Sequence, residues 1–464
     1  MIGSNPIFST ITSLKALKPA GFFILITMSF KNILSLFKIE SLNEMQTATI
    51  AAISQPNDVI LISPTGSGKT LAFLLPLLEL FDKEIQGVQV LVLVPTRELA
   101  IQIEQVFKQM GTAFKVNTCY GGHEIKIEKN NLQHPPALLI GTPGRIVHHL
   151  RNQNLTTKEV HTLILDEFDK SLEAGFHEEM SYIIKNSTKI KKRILTSATQ
   201  LKEIPSFVGL KKHVTLNYTP SDQQTKDTLT IKSVRVTGDD KLEALMLLIS
   251  KIGDRSTMVF CNHRDAVNRI SEQLDYHKVA HGTYHGGLEQ IDREKTLIKL
   301  RNGSTNLLIT TDLAARGLDI PEIEAVIHYQ LPTTEDAMIH RNGRTARMHA
   351  TGTVYFLLDI DDHLPPFLDA VPEEETLPGK FIAPKPSKWK TLYIAAGKKD
   401  KINKMDIVGA LLQKANLQKD EVGRIEVLDH SAYAAISAEK IVSVVNLIRE
   451  EKIKGRKIKV EIST

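Results

Sequence analysis

Two short stretches hold residue types that could together hydrolyse a nucleoside triphosphate. Ser63 to Thr70 reads SPTGSGKT, and Asp166 to Asp169 reads DEFD. In the first, Gly66 and Gly68 let the backbone bend close to an anion, with Thr65 and Ser67 between and beside them. A helix starting at Lys69 and Thr70 would point free N–H groups at that anion. The Lys69 ammonium can reach terminal phosphates, and the Thr70 hydroxyl is placed to ligate Mg2+. In the second stretch, Asp166 suits the metal and Glu167 suits activation of the attacking water. Simpler readings exist: a Gly-rich turn for the first, an acidic helix cap for the second. Ser63 departs from the strict phosphate-loop pattern, which has Gly there.

Such groups work only where strands hold them. Val59 to Ile62 is an apolar run ahead of the loop, and Leu71 to Leu80 reads as a helix behind it. Short apolar runs at Val90 to Val94, Ala137 to Ile140, Leu163 to Leu165 and Arg193 to Leu195 alternate with polar helical segments. This alternation predicts a parallel sheet with helices on both faces, and it places the unusual tripeptides at the strands' carboxyl ends. Thr219 to Thr230 reads as a linker, after which the pattern restarts at Thr257 to Phe260, Leu307 to Ile309, Ala325 to Ile327 and Thr353 to Leu358. A Pro- and Glu-rich stretch beyond Asp361 holds Pro365, Pro366, Pro372, Pro378, Pro384 and Pro386 and is expected to lack regular structure. The division is thus an N-terminal extension over 1–29, α/β domains over 30–218 and 231–361, a connector over 362–387 and a basic module over 388–464.

The whole chain has 464 residues, 42% hydrophobic and 24% charged, which excludes disordered and fibrous classes. Its net charge of +5 is carried by the last module, where sixteen basic residues face ten acidic ones. That is the balance of an anion-binding module. Cys119 and Cys261 are far apart and in no metal-ligand spacing, so they read as packing residues in a reducing, cytoplasmic compartment. No apolar run is long enough to cross a bilayer. Phe22 to Met28 follows Lys15 and Lys18 faintly in the manner of a signal peptide, but no small-residue cleavage site follows. A native start at Met28 is the plainer expectation.

The motif set then becomes specific. SPTGSGKT, PTRELA (Pro95 to Ala100), YGG (Tyr120 to Gly122), TPGR (Thr142 to Arg145), DEFD, SAT (Ser197 to Thr199), TDLAARGLD (Thr311 to Asp319) and HRNGRTAR (His340 to Arg347) resemble the DEAD-box ATP-dependent RNA helicases in order and spacing. The resemblance covers about Phe30 to Asp361. It implies two RecA-like domains that close on ATP and RNA, with Mg2+ as cofactor. It implies an adenine-reading Gln46 and a stacking Phe30, although Leu42 to Met45 departs from the family pattern. Phe168 stands where the family has Ala. Asp169, Ser197, Thr199 and His340 resemble the residues that couple nucleotide to RNA, and Asp319 the ribose contact. Arg344 and Arg347 resemble arginine fingers, expected at the start of a helix; their spacing points both guanidinium groups one way. Thr96, Arg97, Gly121, Gly122, Thr142 and Arg145, with Arg264, Gly286, Gln290, Arg293 and Thr311, match the RNA-backbone contacts.

In the basic module, Leu392 to Ile394, a helix over about Lys404 to Ala415, Arg424 to Leu428, Ala432 to Ile436, a helix over about Ala438 to Glu450 and Lys457 to Ile462 make a β-α-β-β-α-β order. This is a small α+β, ferredoxin- or RRM-like plan. Only Tyr433 offers stacking in SAYAAIS, so base stacking is doubtful. YIAAGKKDKINKMDIVGALL, VGRIEVLD and KIKGRKIKVE resemble the C-terminal domain of DbpA-type helicases, which implies recognition of structured ribosomal RNA. Lys398, Lys399, Lys401, Lys454, Arg456 and Lys457 are the expected phosphate contacts, against the plainer reading of a solvated basic face. The expected protein is a monomeric RNA-dependent ATPase that opens short duplexes during large-subunit assembly. An ATP-gated RNA clamp is the second reading, and a DNA-translocating helicase the third.

Overall fold

The structure is a computed structural model that describes residues 30–122, 125–201, 203–219, 229–236, 240–315, 320–345, 351–368, 371–449 and 451–463. The N-terminal extension over 1–29, with the signal-like stretch Phe22 to Met28 and the expected start at Met28, lies outside them, as do Asp319, Arg347 and most of the 219–230 linker. Two compact units divide between residues 224 and 225.

In the first unit a seven-stranded parallel sheet has the order β3-β4-β2-β5-β6-β1-β7, with β1 Asp58–Ile62, β2 Val90–Leu93, β3 Val116–Cys119, β4 Leu138–Gly141, β5 Thr162–Leu165, β6 Lys192–Ser197 and β7 His213–Asn217. The central strands are buried along their whole length, which is why they read as unbroken apolar runs. Helices α1 Glu44–Ile53, α2 Lys69–Leu80, α3 Arg97–Gln109, α4 Ile125–Leu132, α5 Pro143–Arg151, α6 Phe168–Glu173 and α7 His177–Asn186 flank the sheet. Two apolar cores cover its faces, one built on Val59, Leu61, Val90 and Val92, the other on Ile60, Ile62, Leu91 and Leu93.

The second unit repeats the plan in the order β10-β11-β9-β12-β13-β8-β14. Its strands are β8 Leu229–Arg235, β9 Thr257–Cys261, β10 Gly282–Tyr284, β11 Leu307–Thr311, β12 Ala325–His328, β13 Gly352–Leu358 and β14 Glu373–Glu374, with helices α8 Lys241–Ile252, α9 Arg264–Tyr276, α10 Gln290–Arg301 and α11 Glu335–Asn342. Strand β14 corrects the expectation for the connector: Glu373 and Glu374 pair with Lys232 and Ser233 of β8. Glu375 then takes the ammonium groups of Lys232 and Lys251, which anchors the Pro-rich run to the sheet edge.

The tail in the same unit has β15 Trp389–Ile394, α12 Lys404–Gln413, β16 Val422–Val427, β17 Ala432–Ser437, α13 Ile441–Ile448, a hairpin of β18 Lys452–Ile453 and β19 Arg456–Lys457, and β20 Val460–Ile462. Its antiparallel sheet order, β16-β17-β15-β20, is the ferredoxin-like one. The hairpin was not legible as such: Lys454 and Gly455 both take positive φ, 51° and 79°, the geometry of a tight two-residue turn inside a run that otherwise reads only as basic.

Candidate functional site

Each chemical motif of the first unit falls at the carboxyl end of a strand. Ser63 to Gly68 follows β1, Pro95 and Thr96 follow β2, Tyr120 to Gly122 follow β3, Thr142 follows β4, Asp166 and Glu167 follow β5, and Ser197 closes β6. The parallel sheet therefore brings residues far apart in sequence to one edge.

In the phosphate loop Gly66 and Gly68 have φ of 84° and 89°, a region that L side chains rarely adopt. A Cβ on Gly68 would also strike the Gln46 amide. Gln46 caps its own helix by accepting from the Asn43 N–H at 3.0 Å, and its amide donates to the Gly68 carbonyl at 3.3 Å. The structure thus seats Gln46 against the loop. It does not give Phe30 the open face expected of a stacking ring: Phe30 is 2% exposed and packed in the core. Apolar neighbours on that core outcompete exposure of so large a ring. Lys69 is buried, with its ammonium donating to the carbonyls of Ser63 and Pro64, the latter at 2.8 Å. Ser63, in place of the usual Gly, donates to the Ser67 hydroxyl at 2.8 Å.

The acidic cluster meets β6 across the sheet, where Leu165 pairs with Leu195. Thr196 donates to the Asp166 carboxylate and accepts from the Glu167 N–H at 3.2 Å. Burial pushes the Asp166 carboxyl above its usual range, opposed first by the Thr196 hydrogen bond and then by the Lys69 ammonium. Glu167 has φ 47° and ψ 52°, left-handed for a non-glycine residue, and so stores strain at this point. Thr199 donates to Asp169 at 3.1 Å, and Ser197 donates to the Thr199 carbonyl at 2.6 Å. Phe168 is fully buried in the second core, so the larger ring is accommodated by packing. Thr196 is a member of this cluster that the sequence does not single out: it only stands ahead of SAT.

The RNA-contact candidates of the first unit also converge. Gly122, at φ 95°, lies so close to the Arg97 guanidinium that a Cβ would collide with it. Thr142 donates its N–H to the Cys119 carbonyl at 3.0 Å, next to Gly121 in the following turn. Arg145 lies on the first turns of α5. Cys119, whose thiol burial pushes up, lies with Glu128 and His149 so that their ligand atoms fall within 4.8 Å of one another, a spatial cluster that spacing along the chain did not reveal.

In the second unit, Arg264 and Gln290 open α9 and α10, Gly286 follows β10, Arg293 lies one turn into α10, and Thr311 ends β11. His340 is buried on α11. Arg344 is buried just beyond the end of α11, not at a helix start as the spacing suggested, because Gly343 ends the helix and Thr345 bridges to Ile323. The unforeseen centre is Arg341. Its guanidinium forks onto Asp312 of TDLAARGLD, at 2.5 and 3.0 Å, and donates to the Gln330 carbonyl at 2.8 Å and to Asn262 at 2.7 Å. It lies over the Phe260 ring at 5.4 Å. His328 beside it is fully buried and stacked on Phe356 at 4.6 Å, and burial with the nearby Arg341 charge pulls its pKa down to about 3.

The tail docks on the C-terminal end of α10. Arg301 forks onto Glu426 at 2.9 and 2.8 Å, Asn302 donates to Thr391 at 2.9 Å, and Trp389 packs by Gly303. Tyr393 and Tyr433 are cross-strand partners with ring centroids 5.4 Å apart, and Tyr433 is 3% exposed. The ring available for base stacking is therefore covered. Lys398, Lys399, Lys401, Lys454, Arg456 and Lys457 are exposed elsewhere, and the Lys454 ammonium bonded to the Lys401 carbonyl at 2.7 Å joins the turn before α12 to the hairpin.

A P-loop after β1 with carboxylates at the carboxyl end of β5, one strand beyond the intervening β6, in the first of two parallel-sheet units, defines a RecA-like nucleoside triphosphatase. Family models match over 43–207 (DEAD/DEAH box helicase), 240–349 (helicase conserved C-terminal domain) and 391–462 (DbpA RNA binding domain). The ATP-dependent RNA helicase DbpA of Escherichia coli strain K12 is 30% identical over 448 residues, covering 93% of this chain and 98% of the relative. Its counterpart in Bacillus subtilis strain 168 is 29% identical over 451 residues, 90% and 94% of the two chains. The fold matches that of S. cerevisiae Dbp5 bound to RNA and ADP BeF3, with TM-score 0.63, 24% identity and 72% and 87% coverage. The chain belongs to the DEAD-box ATP-dependent RNA helicases of the DbpA kind, and is an RNA-dependent ATPase. Among the described residues no helix is long and apolar enough to cross a membrane.

Proposed function

We propose that this helicase anchors itself on structured ribosomal RNA through its tail and opens short duplexes nearby, as a monomer serving assembly of the large subunit in the cytoplasm. The observation that carries the reading is the tail. Its sheet is docked through Arg301, Asn302 and Trp389, while the lysines of the turn and hairpin stay exposed. Binding there is by charge on phosphate and shape, as structured RNA requires.

At the nucleotide site, Thr65 to Thr70 would cradle the phosphates and Gln46 would read adenine. The Thr70 hydroxyl and the Asp166 carboxylate are hard oxygen donors, the set that suits Mg2+. A fully buried carboxylate is costly to keep charged without a cation, which supports the fit. When bound, Mg2+ would neutralise phosphate charge. Glu167 would orient and deprotonate the attacking water, and Asp169, Ser197, Thr199 and His340 would couple that step to RNA. Asp319, Arg344 and Arg347 would complete the site on domain closure. RNA phosphates would lie along Thr96, Arg97, Gly121, Gly122, Thr142 and Arg145, then Arg264, Gly286, Gln290, Arg293 and Thr311.

The test is crosslinking and sequencing of bound RNA for the full chain and for a chain ending before Lys388. Large-subunit ribosomal RNA should dominate the first set and lose its enrichment in the second, with ATPase at saturating RNA retained. Equal target preference in both would refute the tail's role.

A further inference from the structure

We propose that Glu128 is a positioning residue for the RNA path: its buried carboxylate sets the separation between the turn Tyr120 to Gly122 and the Arg145 guanidinium. The inference rests on the reading of those residues as RNA contacts.

Glu128 is 1% exposed on α4, where a carboxylate is stable only with partners. One oxygen accepts the Tyr120 N–H at 2.8 Å, which pins the turn after β3. The other accepts from His149 Nε2 at 2.6 Å and lies 3.5 Å from Arg145 Nη1. Arg145 and His149 are four residues apart on α5, so they share one helix face, and a single carboxylate can hold both. Three segments that strands β3 and β4 deliver separately are thereby tied at one point. The backbone beneath is unyielding: Gly141 has the Cys119 carbonyl and Ile146 within 2.7 and 2.6 Å of where a Cβ would be. Against that fixed backbone the Glu128 side chain ties the turn to the guanidinium. The three ligand-type atoms do not make a metal site, since both carboxylate oxygens already take protein hydrogens and burial keeps the Cys119 thiol protonated.

Two phosphates of one strand must meet the turn and Arg145 together, so misplacing either weakens binding of RNA without touching the nucleotide site. The experiment measures RNA-stimulated ATPase of the full chain against an oligouridylate, with binding of a fluorescent ATP analogue as the check of folding. Glu128→Ala should raise the RNA concentration for half-stimulation about tenfold, with kcat and analogue affinity within about twofold. Glu128→Gln keeps one acceptor, for the Tyr120 N–H, but replaces the oxygen that faces His149 and Arg145 by an amide donor, and should fall between. In an Arg145→Ala background, Glu128→Ala should cost clearly less than its roughly tenfold effect in the unsubstituted chain, because the part that acts through Arg145 is already gone and only the freed turn remains. Unchanged half-stimulation in Glu128→Ala, or losses that simply multiply in the double variant, overturn the inference. Should alanine unfold the unit, the same cycle with Glu128→Gln decides it. If Arg145→Ala alone leaves half-stimulation unchanged, the underlying RNA path is what fails.

Discussion

Replacing Thr196 by Val removes one hydroxyl and keeps the side chain's shape. That hydroxyl donates to Asp166 and accepts from the Glu167 N–H. The first bond is to a charged group, worth about 1.5–3 kcal/mol, and the second leaves a buried N–H without an acceptor, a cost of about 1–3 kcal/mol. Glu167 is already held at φ 47°, so the lost bond lets its backbone relax and its carboxylate swing from the position the reaction needs. If about 2 kcal/mol of this is lost in the transition state, kcat falls about 30-fold. The half-saturating RNA concentration should stay within about twofold, since no RNA contact is altered. The assay is steady-state ATPase of the full chain at saturating RNA, with Thr196→Ser as the control that restores the hydroxyl. Wild-type turnover in Thr196→Val would refute the reasoning. Equal damage from Ser and Val would show that packing, rather than the hydroxyl bridge, holds the pair.

Further outcomes follow from other parts of the chain. Glu167→Gln should lower RNA-stimulated hydrolysis by at least about a hundredfold while binding of an ATP analogue persists, as fluorescence titration would report. Arg301→Ala and Glu426→Ala should each loosen the tail; because the fork is bidentate with both side chains 17% exposed, a denaturation cycle should return about 1–2 kcal/mol of coupling. His328 has a folded pKa near 3 against an ordinary 6.5, so protons favour the unfolded state as pH falls below 6.5. The stability it contributes is present above 6.5 and lost towards 3, at about 1.4 kcal/mol per pH unit. His328→Phe should therefore flatten the acid slope of the urea midpoint between pH 6.5 and 5, whatever its effect on the absolute level.

What the sequence disclosed and what it hid divide along a physical line. Strands buried on both faces leave unbroken apolar runs, and loops at their carboxyl ends leave Gly, Thr and Asp clusters, so the parallel sheets and the site's edge could be read directly. The bonds that tune the site are between segments remote in the chain. Thr196 next to Asp166, Glu128 under Arg145 and Arg341 on Asp312 carry no local signature, because each residue alone is ordinary. The burial of Phe30 is hidden for a related reason: distance along the chain says nothing of the core that takes its ring. In the connector, prolines argued against structure, yet Glu375 found two lysines.

The docking of the tail on α10 has a mechanical consequence. Whatever the tail grips is joined, through Arg301, Asn302 and Trp389, to the second α/β domain itself. On the anchoring proposed above, that domain would be the part held still on the target. The anchor would then select the target and also decide which of the two domains is held to it.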